Sequence, residues 1–425
     1  MWYNDFMTVE AFIKKYNFIP KIDNVYERIL YDMNLGLFED KSKAGQDMFN
    51  TWILPPKNKP KNKKIIVIDA GGTNFRSCLI TFDEKGDVTI SDFRKTSMPG
   101  IEKELSKKEF FSTIADNIDY LKDKATEIGF CFSYAMDMTK NGDGIPNAFS
   151  KEIKAPQVIG CLVGENLKTE LESRQWKTIK KIRLLNDTVA ALLAGVATAE
   201  KNYSSYIGFI FGTGINGAYI QKKKNKIEEQ IIVCESGKCD KIPLSEIDIS
   251  LDKKTNIPGQ YPLEKCCSGG YLGMVGYELI QFAIKNSLFS LETTLRLNEI
   301  KELSLIEINE FLCDTTNLNN PLSKSCVTEE DKCKLLKLLD SAIERAAIYG
   351  ASILMAILIQ CDEGKSKDRP ICILCNGTTL FKTHNLLPRI KNYLDAETKK
   401  YNIHYELSWC ENDILLGTAI AGAVD

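Results

Sequence analysis

Residues 65–74 constrain the fold of this chain more than any other stretch, and they read I-I-V-I-D-A-G-G-T-N. Four consecutive β-branched residues, 65–68, predict a strand that is buried on both faces. Asp69 places a carboxylate at the end of that strand, and the two following glycines allow a sharp turn with open backbone N–H groups. An apolar run resumes at residues 75–80, so we predict strand, glycine turn and strand.

Such a turn suits a phosphate group that is held by backbone N–H donors, with the Asp69 carboxylate near Mg²⁺ or its waters. The stretch is not a Walker loop, which needs G-x-x-x-x-G-K-[ST] at the start of a helix. The alternative is an ordinary hairpin with a Gly-Gly turn and no ligand. The turn by itself does not decide between the two.

A second unit of the same design lies at residues 206–221, which read Y-I-G-F-I-F-G-T-G-I-N-G-A-Y-I-Q. Placing Gly72 on Gly214 also places Asn74 on Asn216. Two such units, far apart in the sequence, predict an internal repeat. We therefore expect two lobes whose glycine turns face one phosphate chain.

Between the two turns, a short apolar strand at residues 182–185 ends in Asn186-Asp187-Thr188, directly before an Ala- and Leu-rich helix at residues 189–199. One interpretation is that Asp187 only caps this helix. The other is that it faces a ligand, because open α/β sheets bind ligands where strands end and helices begin. The chain has 2 histidines, neither in a recognisable catalytic setting, so a carboxylate is the better candidate for a general base.

Length and composition set the class of protein around these turns. The chain has 425 residues, enough for about two or three domains, with 44% hydrophobic and 26% charged residues. Its net charge of -2 gives no field that would attract nucleic acid or an anionic membrane, so we expect neither as a partner. An apolar run at residues 346–359 is too short to span a bilayer and predicts a core helix.

The cysteines indicate a reducing compartment. There are 14 of them, scattered and often inside apolar runs, and the polar start M-W-Y-N-D-F is not typical of a secretory signal. We therefore expect free thiols and a cytoplasmic protein. The C-x-x-C at Cys372 and Cys375 encloses two apolar residues, which favours a buried strand over a redox or zinc site.

Taken together, the ordered motifs resemble the hexokinase family, and its bacterial branch most, over nearly the whole chain from about residue 33. The resemblance is specific because many motifs follow one another in order. They are D-A-G-G-T-N-F-R from Asp69, G-F-C-F-S-Y from Gly129, S-K at Ser150-Lys151, L-N-D-T from Leu185, G-T-G-I-N from Gly212, C-E-S-G around Glu235, L-E-K-C-C-S-G-G-Y-L-G around Glu264, and N-G-T-T from Asn376.

The resemblance implies an α/β fold of the two-lobed, actin-like ATPase type, with an RNase H-like sheet in a small and a large lobe around a cleft. We place residues 60–184 and 413–425 in the small lobe, and residues 1–59 and 185–412 in the large lobe. The implied activity is phosphorylation of the 6-hydroxyl of glucose or a similar hexose, with ATP and Mg²⁺. Closure of the lobes would exclude water from the cleft.

The resemblance also implies a role for each motif residue. Asp187 would accept the proton of the 6-hydroxyl, and Lys151 and Arg76 would complete the catalytic set. The residues implied in hexose binding are Ser133, Ser150, Lys151, Asn186, Asp187, Asn216, Glu235 and Glu264. Those implied in nucleotide binding are Asp69, Gly71, Gly72, Thr73, Asn74, Arg76, Gly212, Thr213, Gly214, Gly377 and Thr378. Asp69 would also orient Mg²⁺ through water.

The chain departs from the family pattern at four places, which bear on sugar preference and nucleotide affinity more than on the reaction. Tyr134-Ala135 stands for Phe-Pro, Ser150-Lys151-Glu152 for Thr-Lys-Gly, Met274 for a common Glu, and Asn376 for the usual acid before the adenosine segment. Two alternatives stay open: a kinase for an amino- or N-acetylhexosamine, and a catalytically silent sugar-binding sensor. The C-x-C-G-x-x-G-C zinc loop that is typical of repressor-related glucokinases does not occur in the sequence.

Overall fold

The computed structural model describes residues 7–149, 153–177, 179–199, 201–225 and 227–424. The helices are α1 (Val9–Lys15), α2 (Ile22–Phe38), α3 (Lys107–Ile118), α4 (Val163–Ser173), α5 (Asp187–Thr198), α6 (Glu246–Lys254), α7 (Pro262–Cys267), α8 (Leu272–Lys285), α9 (Leu291–Glu299), α10 (Leu305–Cys313), α11 (Pro321–Ser325), α12 (Glu329–Cys361), α13 (Thr378–Lys382), α14 (Leu386–Tyr401) and α15 (Asp413–Ala423).

The strands are β1 (Phe49–Asn50), β2 (Lys63–Gly71), β3 (Asn74–Phe82), β4 (Val88–Ser97), β5 (Glu127–Phe132), β6 (Met136–Met138), β7 (Gly144–Pro146), β8 (Lys181–Leu185), β9 (Ser205–Phe211), β10 (Ile215–Gln221), β11 (Gln230–Val233), β12 (Ile371–Asn376) and β13 (Tyr405–Ser408). Short 3-10 helices lie at Lys41–Lys43, Asp119–Leu121, Pro156–Val158 and Ser236–Lys238.

Two large sheets organise the described part of the chain, with β6 and β7 forming a small hairpin beside them. One sheet has five strands in the order β4-β3-β2-β5-β8, and the other has six in the order β1-β11-β10-β9-β12-β13. In the first sheet β2 pairs with β3 antiparallel and with β5 parallel. In the second sheet β9 pairs with β10 antiparallel and with β12 parallel. The shared strand order is the internal repeat that the glycine turns predict.

Strand β2 shows why residues 65–68 are uniformly apolar, since all four side chains are fully buried. Ile66 and Ile68 pack with residues of α3 and α4 on one face. Ile65 and Val67 pack with residues of α5 and α15 on the other face. Burial on both faces explains the continuous apolar run and confirms the predicted strand.

Helices α5 and α15 lie between the two sheets and join them. Helix α5 contacts β9, β10 and β12 of the six-stranded sheet, whereas α15 contacts β2, β5 and β8 of the five-stranded sheet. The two helices also contact each other, and their apolar side chains share one core with Ala218 and Ile231. The two helices therefore connect the two sheets through their contact with each other.

The predicted core helix at residues 346–359 is part of α12, which packs on α2, α8 and α14. By length and composition α12 could also cross a membrane, with a mean hydropathy of 1.7 over its most apolar window. However, 89% of that window is buried inside the protein. The apolar side chains of α12 belong to the largest core cluster, so the prediction of a core helix is confirmed.

Candidate active site

The first glycine turn joins β2 to β3. Gly71 pairs with Asn74 across the hairpin, which leaves Gly72 and Thr73 at the tip. Gly72 has a φ of 55°, a left-handed conformation that glycine adopts without strain. A Cβ at this position would meet no atom within 4 Å, so the tip has open space around it. This is the arrangement expected of a turn that receives a ligand.

The end of β5 lies against the same turn. A Cβ at Gly71 would stand 2.9 Å from Ser133 Oγ, so the absence of a side chain allows this close approach. Tyr134, one of the departures from the family pattern, donates from its hydroxyl to the Gly72 carbonyl at 3.3 Å. The structure therefore places Ser133, a predicted sugar ligand, directly beside the predicted phosphate turn.

Asp69 and Arg76 face each other across the β2–β3 hairpin. They form a cross-strand pair, and Arg76 donates from Nη1 to Asp69 Oδ2 at 3.2 Å. Burial raises the pKa of Asp69 to about 6; the Arg76 guanidinium opposes this rise, and the charge of Asp413 adds to it. The predicted metal-orienting acid and the predicted phosphate-binding cation are thus in direct contact.

The second glycine turn joins β9 to β10 and is held by two neighbouring segments. The Gly212 carbonyl accepts hydrogen bonds from the Gly269 N–H and the Thr379 hydroxyl, each at 2.9 Å. The Gly270 N–H donates to the Thr213 carbonyl, also at 2.9 Å. Thr213 itself is exposed. The turn is therefore fixed by backbone contacts while its Thr side chain stays accessible.

The predicted adenosine segment is part of this assembly. Gly377 has a φ of 121°, and a Cβ there would lie 2.2 Å from the Phe211 carbonyl oxygen and 2.8 Å from the Gly212 nitrogen. Gly377 precedes Thr378, the first residue of α13. Gly377 thus lies directly against the second turn, and Thr378 follows it at the start of α13, where the sequence predicts nucleotide binding.

The predicted sugar-binding side chains converge beside β10. Asn216 donates from Nδ2 to Glu235 Oε1 at 3.2 Å and accepts from the Ser236 N–H at 3.2 Å. Glu264 accepts from the Ile215 N–H at 3.2 Å. Burial raises the pKa of Glu235 and raises that of Glu264 to about 7. These side chains offer paired donors and acceptors of the kind that a polyhydroxylated ligand needs.

Asp187 is the first residue of α5, but it is not the cap of the helix. Asn186 is the N-cap, and its Oδ1 accepts from the Thr188 N–H at 2.9 Å and from the Thr188 hydroxyl at 2.6 Å. The capping interpretation of Asp187 is therefore wrong. The pKa of Asp187 is raised to about 7, chiefly by burial and also by the nearby charges of Glu235 and Asp69, while the Thr188 N–H that donates to its Oδ1 opposes the rise. A carboxylate with such a pKa changes its protonation state near neutral pH.

Close backbone packing fixes the start of α5. A Cβ at Gly208 of β9 would lie 2.0 Å from the Thr188 carbonyl oxygen, and one at Gly417 of α15 would lie 1.8 Å from the Ala190 carbonyl oxygen. Only glycine permits such contacts on the two sides of the first helical turn of α5. Because Asp187 belongs to that turn, its backbone is held from both sides.

A small cavity of about 20 Å³ lies beside these groups. Asn186 and Glu235 contribute polar walls, and the remaining lining is mostly apolar. The lining residues that sequence reasoning missed are Phe49, Thr51, Tyr134, Met136, Met138, Leu185 and Val233. Apolar residues on strands carry no signal that separates a cavity wall from a core position, so the sequence could not identify them.

One further group was missed. Asp413, at the start of α15, belongs to none of the motifs that the sequence analysis singled out. Its carboxylate accepts a hydrogen bond from Asn376 Nδ2, and its negative charge contributes to the raised pKa of Asp69. His384, whose sequence setting predicts no catalytic role, contacts the exposed Cys313 sulfur at 3.6 Å, and none of its hydrogen bonds among the described residues involves Asp187.

The predicted residues Ser150 and Lys151 lie outside the described part of the chain. Among the residues that the structure describes, no group of three or more His, Cys, Asp and Glu side chains could hold a metal ion. We call Asn216, Glu235 and Glu264 the sugar-side cluster. The remaining predicted site residues lie in or beside the two turns, in this cluster, or at the start of α5.

Two sheets of equal strand order, with glycine turns and acids at their junction, define a two-lobed protein of the actin-like ATPase fold, as predicted. A hexokinase from Schistosoma mansoni complexed with glucose has a TM-score of 0.78 to this chain at 23% identity, over 98% of both chains. A ROK hexokinase from Thermus thermophilus has a TM-score of 0.52 at 13% identity, over 84% of this chain and 97% of that one. These similarities concern the fold.

Family models described as Hexokinase match residues 9–197 and residues 206–424. Hexokinase-1 from Saccharomyces cerevisiae is 30% identical over 276 residues, which span 59% of this chain and 55% of that relative. Glucokinase-1 from Kluyveromyces lactis is 27% identical over 412 residues, 85% of each chain. The chain belongs to the hexokinase family, and the predicted family is confirmed.

Proposed function

We propose that this protein transfers the γ-phosphoryl group of ATP to the 6-hydroxyl of a hexose, with glucose as the first candidate. One observation carries the proposal. Asp187 is a carboxylate with a pKa raised to about 7, within electrostatic range of Asp69 by the first turn and of Glu235 by the second. A base of this pKa between two phosphate-binding turns suits phosphoryl transfer to an alcohol. Membership of the hexokinase family supports the same reaction.

The hexose would lie against the Asn216–Glu235 pair, Glu264, Asn186 and the end of β5. The bond between Asn216 Nδ2 and Glu235 Oε1 orients both side chains before a ligand arrives. A ligand that lacks a matching hydroxyl would leave one of these groups unpaired, which disfavours its binding. We infer that this cluster selects the sugar and directs its 6-hydroxyl towards Asp187.

In the chemical step, the Asp187 carboxylate would take the proton of the 6-hydroxyl as the hydroxyl oxygen bonds to the γ-phosphorus. The bond between that phosphorus and the β–γ bridging oxygen breaks, and ADP leaves with the electron pair. The N–H groups of both turns, Thr73, Thr213 and Arg76 would stabilise charge on the transferring oxygens. We assign Lys151 to the same role from its motif.

Mg²⁺ fits the Asp69 end of the site. Mg²⁺ keeps several waters and is usually bound through one or two carboxylates together with substrate phosphates. Asp69, at the end of β2 and in contact with Arg76, supplies one such carboxylate next to the first turn. When bound, the ion would neutralise charge on the phosphate oxygens. We propose that Asp69 orients it through water.

We also propose that residues 60–184 with 413–425 close against residues 1–59 with 185–412. The packing of α15 on β2, β5 and β8 supports the assignment of the last segment to the small lobe. Closure would bring the open first turn towards the fixed second turn and exclude water that could attack ATP. The free state of all fourteen cysteines supports a reducing, cytoplasmic setting.

The deciding experiment measures ADP release with ATP, Mg²⁺ and a panel of glucose, mannose, fructose, glucosamine and N-acetylglucosamine. We expect turnover with a simple hexose and the highest kcat/KM for glucose. Preferred turnover of an N-acetylhexosamine would reassign the substrate. Glucose binding by calorimetry without turnover of any sugar would overturn the proposal in favour of a silent sensor.

A further inference from the structure

Asp413 is a buried carboxylate at the start of α15, 5% exposed, and no predicted role accounts for it. Asn376 donates from its single amide nitrogen to both carboxylate oxygens, at 2.8 Å to Oδ1 and 2.7 Å to Oδ2. The Ile414 N–H also donates to Oδ1 at 2.8 Å. Both oxygens of Asp413 are thus engaged, and hydrogen bonds to a charged acceptor are the stronger kind.

One side of this contact leads to the proposed nucleotide segment. Asn376 is the last residue of β12 and directly precedes Gly377, which packs on the second glycine turn. Two residues further on, Thr379 donates to the Gly212 carbonyl at 2.9 Å. A shift of the Asn376 side chain would therefore be transmitted to the backbone that holds the second turn.

The other side leads to the first turn. Helix α15 packs directly on β2, which ends in that turn, and on α5, which begins with Asp187. Arg76 faces Asp413 closely enough for its charge to act on it, and Asp413 acts on Asp69 in the same way. Asp413 thus lies within charge range of Asp69 and Arg76 beside the first turn, and it is hydrogen-bonded to Asn376, whose neighbour Gly377 packs on the second turn.

We propose that Asp413 is a positioning residue for the nucleotide, which acts by joining the end of β12 to the start of α15 through Asn376. The proposal rests on the proposed phosphoryl transfer from ATP. The bond fixes the distance between the adenosine segment at Gly377 and the first turn at Gly72, so that one nucleotide can contact both. Asp413 need not touch the ligand for this purpose.

Exchanging the Asp413 and Asn376 side chains distinguishes the effect of their hydrogen bond from the effect of a general loss of stability. Asp413→Asn replaces one acceptor oxygen by an amide that faces another amide, so we expect KM for ATP to rise about tenfold. KM for the hexose should stay within about twofold, because Asp413 makes no bond to the sugar-side cluster. Asn376→Asp alone places two carboxylates face to face and should raise KM for ATP further.

The double variant Asn376→Asp with Asp413→Asn restores one carboxylate and one amide in the same place. It should return KM for ATP to within about threefold of the wild type, by restoring the bond in the opposite sense. Asp331→Asn is the matched control. Asp331 is also a buried carboxylate, 2% exposed, at the first turn of α12, where it accepts from Ser290, Thr293 and Thr328. That control should lower the Tm and leave the ratio of the two KM values unchanged.

Three results would overturn the role of Asp413. They are an unchanged KM for ATP in Asp413→Asn, an equal rise of both KM values, and no recovery in the exchanged double variant. If the wild type releases no ADP with any hexose, the proposed function fails, but calorimetry with a non-hydrolysable ATP analogue still tests the positioning role. A loss of affinity of about tenfold in Asp413→Asn supports it, and an unchanged affinity overturns it.

Discussion

The two glycine turns occupy equivalent places in two sheets of equal strand order, yet their surroundings differ. At the first turn, a Cβ on Gly72 would meet no atom within 4 Å. At the second, the Gly212 carbonyl accepts two hydrogen bonds from other segments, and Gly377 packs on its backbone. The first turn is also held by hydrogen bonds, from the Tyr134 hydroxyl to the Gly72 carbonyl and from the Met98 N–H to the Thr73 carbonyl. The difference is therefore one of space: the glycine at the tip of the first turn borders open space, whereas the second turn is packed against Gly377, Thr379 and the segment before α8.

This difference indicates that the two turns have different roles in ligand binding. A turn held by several segments keeps its N–H groups in place before a ligand binds, which lowers the cost of ordering them. The open space beside Gly72 leaves room for a ligand next to the first turn. We therefore infer that packing preorganises the second turn and that the first turn receives the ligand on its open side.

The largest effect should come from Asp187, which lies between the two turns in sequence and acts electrostatically with residues near each. Asp187→Asn keeps the shape of the side chain and removes the base, so kcat should fall about 10²–10⁴-fold. Binding of ATP should change by less than about twofold, because the turns remain intact. Steady-state kinetics and calorimetry on the same preparation measure both quantities.

A near-native kcat in Asp187→Asn would show that another group accepts the proton. Asp69→Asn is the informative companion, since it removes the other acid near the first turn. If Asp69→Asn loses more in kcat than Asp187→Asn, the roles assigned to the two acids are reversed.

The second prediction compares a Gly→Ala substitution at Gly377, which packs on the second turn, with the same substitution at Gly72 in the first turn. Gly377→Ala introduces a Cβ that meets the Phe211 carbonyl at 2.2 Å, in a backbone conformation that other residues rarely adopt. Strain and overpacking together should reduce the free energy of unfolding by about 2–6 kcal/mol. Gly72→Ala meets no atom and bears only the left-handed conformation, so it should cost about 1 kcal/mol. Urea denaturation measures both variants, and equal losses of unfolding free energy would contradict the contrast between the packed Gly377 and the open space at Gly72.

The third effect is the dependence of activity on pH. Asp187 has a pKa raised to about 7, and the ionised form is the base. Activity should therefore be lost as the pH falls through about 7, by about tenfold in kcat/KM for each further unit. Glu264 has a pKa raised to about 7 as well, so Glu264→Gln is the control. The acid limb should persist in Glu264→Gln; its disappearance there would assign the limb to Glu264.

Local patterns predicted much of the fold. The apolar run at residues 65–68 predicted a strand buried on both faces, and Ile65 to Ile68 are fully buried between two helical layers. The C-x-x-C at Cys372 and Cys375 predicted a buried strand, and both residues lie in β12. Such predictions succeed because the period of side chains along a strand is fixed by its own backbone.

The alignment of Gly72 with Gly214 and of Asn74 with Asn216 is less accurate than the prediction of the strands. The first turn has two residues between the paired Gly71 and Asn74, whereas the second has three between the paired Phe211 and Ile215. Asn74 is therefore a hairpin-closing residue, and Asn216 is one position further along its strand. Turn length follows from backbone pairing, which letters in a motif do not specify.

The sequence by itself determined the family and the strand–turn–strand units, and it singled out Asp187 as the candidate base, because these depend on local patterns and on motif order. Only the tertiary structure decided that Asn186 rather than Asp187 is the N-cap of α5, that the first turn borders open space while Gly377 packs on the second, and that Asp413 bonds Asn376. The physical reason is the same in each case. Partners distant along the chain meet through packing, as α5 and α15 do between the two sheets, and burial then sets their hydrogen bonds and pKa values.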